Sequence, residues 1–286
     1  WRGIIGLIIL RFVLVFLLIN NIPFTDMQDN GFRPNFSGSY FPDEIHYFEL
    51  SQSFAKFSPV ANVANIGYPL FLAPIVYLTG AGNPVDIAKI VFIIQAFFFF
   101  SLAIILTGLI SFEILKNRKL ALIAAALFTA YPYILFFILK LAEFSRVIPA
   151  FHYQMWINIG ADYLSAVLLY FGFYLFITKY NDINLNLFSA SVIGAIIATA
   201  ALTRIANILY LPLIFLVLIW LTPLETTPAL ARPKGLWGGL FLTGLKKYRI
   251  PISFSISAFL VYLPQWVYNF YFFGSPLTYG YRIKEL

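Results

Sequence analysis

The chain has 286 residues, of which 61% are hydrophobic, 19% aromatic and only 11% charged, with a mean hydropathy of +0.84 and a formal net charge of +7. So little polar surface excludes a soluble globular domain, and repeated apolar runs of bilayer length point to a polytopic helical membrane protein. The absence of cysteine excludes a disulfide framework, Cys-ligated zinc and thiol catalysis.

In chain order, a first membrane span is predicted over roughly Ile4 to Ile19. A polar stretch from Asn20 to Phe41 breaks it, and FPDEIHYFELSQSFAKFSP (Phe41 to Pro59) follows. This is one of the few polar islands in the chain. Its apolar residues Tyr47, Leu50, Phe54 and Phe57 recur at the spacing of a helix lying on a membrane surface. The next block, NIGYPLFLAPIVYLTGAG, is short and interrupted by Pro69 and Pro74, and reads as re-entrant or interfacial.

Further spans are predicted at Val85–Leu115, Leu120–Leu139, Ile159–Ile177, Leu185–Ala201, Ile205–Leu221 and Ile250–Phe270. A polar-aromatic loop holding Glu143, Arg146, His152 and Trp156 lies between the third and fourth spans. Before the last span comes a basic loop with Arg232, Lys234, Lys246, Lys247 and Arg249. The expectation is an all-α integral membrane protein of about seven spans with amphipathic helices beside the membrane. Residues 1–286 form one transmembrane domain, and 23–83 a loop outside the membrane with amphipathic and re-entrant or interfacial segments. Trp1 in place of an initiating Met, and the closing YRIKEL, lead to the expectation that the chain is incomplete at one or both ends.

Orientation follows the placement of Lys and Arg in the loops. With a cytoplasmic N-terminus, Arg2, Lys116, Arg118, Lys119, Lys179, Arg232, Lys234, Lys246, Lys247 and Arg249 share one face. The other receives only Arg33, Lys56, Lys140, Arg146, Arg282 and Lys284. This bias puts Asp43, Glu44, His46 and His152 outside the cytoplasm; the expected location is a prokaryotic plasma membrane with the active site on its external face. The basic loops then serve as orientation signals and anionic-lipid contacts, with no nucleic-acid partner expected.

Each polar residue has a plain reading beside a functional one. Pro42, Asp43 and Glu44 suit a helix start, because proline is favoured in the first turn and carboxylates complement the helix dipole. The functional reading is a carboxylate at the membrane boundary that accepts a proton from a hydroxyl nucleophile. Arg204, between two apolar helices, is either half of a structural ion pair or a bidentate clamp for a phosphate. Lys89, Lys140 and Arg146 are lesser candidates for that clamp. Asp162 either favours a helix start or faces a cavity. His46 and His152 have no ligand spacing, so a divalent metal gains no support from them. Tyr77, Trp156 and Trp220 read as interfacial anchors.

The order of these blocks carries a resemblance. A span, an acidic pair before an amphipathic segment, GYPLF, a long helix ending in KNRK, ALIAAALFTAYPYILFF, GADYLSAVLLYFGFYLF, AALTRIANILYLPLIFL and LPQWVYNFYFFGSPLTYGYR together cover nearly the whole chain. This succession resembles the multipass glycosyltransferases of the GT-C fold, in the branch of the dolichyl-phosphate-mannose-protein mannosyltransferases and aminoarabinose transferases. The resemblance implies transfer of a sugar from a polyprenyl-phosphate donor to a protein, lipid or glycan acceptor on the non-cytoplasmic face. It implies Asp43 as the base or acceptor-positioning group, with Glu44 in support. It favours Arg204 as the phosphate clamp and Asp162 as an acidic residue on the same external cavity; His152, Arg146 and Lys89 complete the expected substrate-binding set, with the lipid-linked sugar as substrate and no certain cofactor. The external domain that many relatives carry is not in the sequence. Two other readings stand beside this one. The first is a non-catalytic scaffold or lipid-binding subunit of a larger membrane complex. The second is a transporter, which would show paired broken helices where only GYPLFLAP is broken.

Overall fold

The structure, a computed structural model, describes residues 2–21, 42–62, 64–142, 159–181, 185–221 and 236–278; within these, the side chains of 18–21, 42–44, 85, 181, 221 and 236–247 lie outside the description. Among the described residues every regular element is a helix. We label them α1 (Arg2–Asn21), α2 (Pro42–Ala55), α3 (Gly67–Thr79), α4 (Pro84–Phe92), α5 (Phe100–Leu115) and α6 (Arg118–Leu141). After these come α7 (Ala161–Asn181), α8 (Leu187–Thr203), α9 (Tyr210–Leu221) and α10 (Leu236–Phe273). A π-helical segment, Ile93–Phe99, joins α4 to α5, and a 3-10 turn, Ile205–Leu209, precedes α9.

Four stretches are long and apolar enough to cross a membrane: Asp86–Leu115, Arg118–Leu141, Ala161–Tyr180 and Tyr248–Phe273, with 30, 24, 20 and 26 residues. About 20 are needed to span hydrocarbon. Three further expected spans map to α1, which has 20 residues, and to the shorter apolar stretches Leu187–Thr203 and Ile205–Trp220. The GYPLFLAP block forms a 13-residue helix containing Pro74 and closed by Gly80 in the left-handed conformation. That conformation carries no steric penalty at glycine.

Two features differ from expectation. The last helix starts at Leu236 rather than near Ile250, so Lys246, Lys247 and Arg249 stand on helix rather than loop. A proline favours a first turn, which is why Pro251 looks like a start; here helix precedes it, and Pro264 is also internal. The second run is not regular. Around Gln95 the backbone shifts to the wider π pattern, and the Phe100 N–H reaches back five residues to the Gln95 carbonyl.

The KNRK turn is locally encoded. Lys116 takes a left-handed φ of 50° and its N–H bonds the Phe112 carbonyl. Asn117 then caps α6, its side chain accepting from the N–H groups of Lys119 (2.9 Å) and Leu120 (3.3 Å).

The centre of the bundle is α8, whose sequence is rich in Ala, Gly and Ser. Ala190, Ile193, Ile197, Ala200 and Ala201 are all but fully buried. A Cβ at Gly194 would fall on the Phe254 carbonyl of α10, and Ser191 bonds Ser253 at 2.6 Å. Small residues of this kind let backbones approach closely where lipid gives no hydrophobic drive for association. Connectivity and packing define two ends. The start of α1, the end of α5 and the start of α6 meet at one, around Gly3, Phe112 and Arg118. At the other meet α2, α3, the start of α7 and the ends of α8 and α10.

Candidate functional site

The site is built at the second end, beginning with α2. Its apolar stripe does not face outward as a membrane-surface helix would. Phe48 and Leu50 are buried, as are Ser51 and Ser53, which bond back to the Phe48 and Leu50 carbonyls at 2.6 and 2.8 Å. Leu50 packs with Ala201, Leu202, Tyr262 and Tyr268, while Phe48 packs with Tyr68, Ile159 and Ala161. The periodicity records contact with protein, because α3, α8 and α10 cover this face; only Phe57, past the helix end, is 92% exposed. Positions 43 and 44 fall in the first turn of α2, one turn ahead of Tyr47 and Phe48. The side chains of Asp43 and Glu44 lie outside the described residues. His46 stands 3.8 Å from Glu49, one turn along the same helix.

The helix break in LTRIAN gives the clearest geometry. Arg204 adopts an extended backbone (φ −140°, ψ 118°) between α8 and the 3-10 turn, which ends the α8 hydrogen-bond ladder. Its guanidinium donates to Asp162 in the first turn of α7. Asn207 donates to Ser165, one turn along α7, and to the Ala200 carbonyl at 3.2 Å. The break is therefore tied twice to one face of α7. The Arg204 side chain is 51% exposed and that of Asp162 35%, so the rest of the protein does not seal the pair.

Close backbone packing holds this region. A Cβ on Gly67 would lie 2.6 Å from the Leu202 carbonyl carbon and 2.7 Å from the Thr203 nitrogen, so the first turn of α3 abuts the last turn of α8. Polar side chains of the QWVYN stretch in α10 fasten the chain ahead of α3. Gln265 accepts from the Ile66 N–H at 2.9 Å and donates to Asn269 at 2.8 Å. The Tyr268 hydroxyl accepts from the Asn62 N–H at 2.9 Å and donates to the Val60 carbonyl at 2.7 Å. Beneath them, the Tyr68 hydroxyl donates to Gln95 of the π segment at 2.6 Å, with both residues fully buried. These residues satisfy backbone groups that would otherwise sit unpaired in an apolar setting.

An apolar groove of about 280 Å³ runs between α9 and α10, lined by Ile208, Leu211, Phe215, Phe254, Tyr262 and Trp266 among others. Ile208, Tyr262 and Trp266 also belong to the cluster that packs on Leu50 and Leu202, so the groove adjoins the site end.

Of the residues singled out from sequence, the structure brings Arg204 and Asp162 together and places α2 at the same end. Lys89, in the last turn of α4, is exposed, and among the described residues no ion pair or hydrogen bond joins it to the pair. Lys140 is exposed near the end of α6. Arg146 and His152, with Glu143 and Trp156, lie outside the described residues. Among the described residues no group of three or more His, Asp or Glu is placed to hold a metal. Tyr77 and Trp220 are 69% and 83% exposed.

Sequence reading missed Asn207, Ser165, Gln95 and the QWVYN clamps. A signal existed for the first two: Asp162 and Ser165 sit one helical turn apart, matching the spacing of Arg204 and Asn207. It also left Arg11 without a role, although this side chain is fully buried. It lies 3.9 Å from the centre of the Phe100 ring and 3.3 Å from the Tyr133 hydroxyl. No family model, curated protein or solved structure matches the chain.

Proposed function

We propose that the protein is an integral-membrane glycosyltransferase of GT-C type, moving a sugar from a polyprenyl-phosphate donor to an acceptor on the non-cytoplasmic face. The observation that carries this reading is the convergence, at one end of the bundle, of three features. They are the half-exposed Arg204–Asp162 pair at a helix break, α2 packed on the last turn of α8, and an adjoining apolar groove. A prenyl chain suits the groove, and a phosphate suits a guanidinium that offers two parallel donors. In this reading Asp162 holds Arg204 oriented until the donor phosphate competes for it. Negative charge grows on the phosphate oxygen as its bond to the anomeric carbon breaks, and Arg204 stabilises that charge. The acceptor oxygen attacks the same carbon and Asp43 takes its proton, with Glu44 in support. Direct transfer inverts the anomeric configuration.

A second reading, a lipid-binding or scaffold subunit, is favoured by one observation: Arg204 is already neutralised by Asp162, as a purely structural cation would be. The deciding assay incubates the purified full chain with a polyprenyl-phosphate sugar and a pool of acceptors. Asp43→Asn keeps size and hydrogen bonding while removing the base, so turnover is expected to fall by about 10²–10⁴-fold with donor binding retained. Turnover that survives this change removes Asp43 as the base. Wild-type protein that shows no turnover and co-purifies with a membrane complex moves the assignment to the scaffold. Orientation has its own test, because the chain contains no cysteine. Asp43→Cys should react with an impermeant thiol reagent from outside intact cells.

A further inference from the structure

A second cleft lies at the opposite end of the bundle and takes no part in the proposed transfer. It encloses about 310 Å³ between α1, α5 and α6, lined by Gly3, Ile4, Gly108, Phe112, Arg118, Lys119, Ala121 and Leu122. Its floor follows from two glycines. A Cβ on Gly108 would come 2.7 Å from the Ile4 Cδ1, and one on Gly3 2.8 Å from the Leu122 Cδ1, so the start of α1 lies close against both neighbouring helices. Above that floor the walls are apolar and the rim is cationic.

The charge belongs to side chains rather than to the end of α6, because Asn117 already occupies the N–H groups of Lys119 and Leu120. Lys116 is held by Glu113 at 2.5 Å. Arg118 and Lys119 are both exposed, and among the described residues neither is ion-paired with a carboxylate. Among the described residues, no acidic side chain lines the cleft.

We propose that this cleft binds one anionic phospholipid, its phosphate headgroup on Arg118 and Lys119 and the upper part of an acyl chain against Ile4, Phe112 and Leu122. Charge complementarity selects an anion. The apolar wall selects one that carries a hydrocarbon tail, which distinguishes lipid from nucleic acid or a soluble phosphate. Basic pockets between transmembrane helices recognise anionic headgroups in this way. The volume is at the lower end for a small-molecule site and is ample for a phosphoglycerol group. This proposal is independent of the catalytic reading: it needs only that α5 and α6 cross the membrane, and it holds for enzyme and scaffold alike.

The test reconstitutes the full chain in phosphatidylcholine bilayers with trace spin-labelled phosphatidylglycerol or phosphatidylcholine, and reads the motionally restricted lipid by electron paramagnetic resonance. Wild type should select the anionic label. Arg118→Gln with Lys119→Gln should cut that selectivity by roughly fivefold or more, while Lys179→Gln, a cation on the same side of the bundle but outside the cleft, should leave it in place. Leu122→Trp fills the cleft at constant charge and should lower retention of the anionic label. Equal loss in Lys179→Gln would reduce the effect to diffuse surface charge and overturn the site. So would unchanged selectivity in the double variant or in Leu122→Trp. Displacement of the labelled lipid by millimolar glycerol phosphate would overturn the lipid assignment.

Discussion

Within the α1–α5–α6 packing Arg11, midway along α1, has no exposed surface, whereas between α7 and α8 Arg204 is about half exposed at 51%. Arg11 sits against the Phe100 ring face and the Tyr133 hydroxyl. Arg204 sits against a carboxylate at a point where the helix has stopped. An arginine inside hydrocarbon is tolerated where polarizable and hydrogen-bonding neutral groups surround it. Such a cation is closed to any ligand and acts on the packing of three helices. A cation at a helix break, paired but exposed, has traded part of its stability for access. Both are arginines among apolar residues in the sequence, and only the fold buries one and leaves the other accessible.

The strongest way to break this contrast is Arg11→Ala. Removing a large buried side chain and stranding its partners should cost about 3–5 kcal/mol. Denaturation of the purified protein would show it as a large drop in midpoint. Arg11→Met, apolar and of similar length, should recover only part of that loss, because it refills the volume but removes the donor to the Tyr133 hydroxyl. An alanine variant as stable as wild type would leave Arg11 with no structural role and dissolve the comparison.

The next effect concerns the packing that holds the Arg204 break. Gly67→Ala puts a methyl into the backbone of Leu202 and Thr203, atoms that cannot swing aside, and should cost about 1–3 kcal/mol. Gly6→Ala, where nothing lies within 4 Å, supplies the control and should be neutral or stabilising by about 0.5–1 kcal/mol. Equal midpoints for the two variants would show that α3 does not fix the end of α8.

The smallest effect belongs to the Arg204–Asp162 pair itself. A double-mutant cycle with Arg204→Ala and Asp162→Asn should return a coupling of about 0.2–1 kcal/mol, as for other exposed pairs. Donor binding is the larger readout: Arg204→Ala, and to a lesser degree Arg204→Lys, should weaken retention of a polyprenyl phosphate by the purified protein. A coupling of several kcal/mol with unchanged donor affinity would assign Arg204 the same structural role as Arg11.

Much of the helix layout is written locally, and some of it only seemed to be. Arg118–Leu141 begins two residues before the expected Leu120 because Asn117 is a cap within reach of its own helix. The α5–α6 turn likewise follows from KNRK and one left-handed residue. The stripe in α2 was legible as a stripe but not as to what it faces, since lipid and protein present the same apolar demand. The π segment could not be read from IIQAFFF, because its Gln95 answers a tyrosine 27 residues earlier.

The sequence by itself determined that this is an all-helical chain with helices of membrane-crossing length, since burial of backbone polar groups in hydrocarbon leaves the helix as the solution for apolar runs of that length. It also marked Arg204 and Asp162 as residues with a role to be found. Tertiary structure alone decided that they are partners across 42 positions, and that Arg11 meets Tyr133 across 122. Hydropathy and helical period are properties of neighbours in the chain, whereas the partner of a charge is fixed by which helices pack side by side.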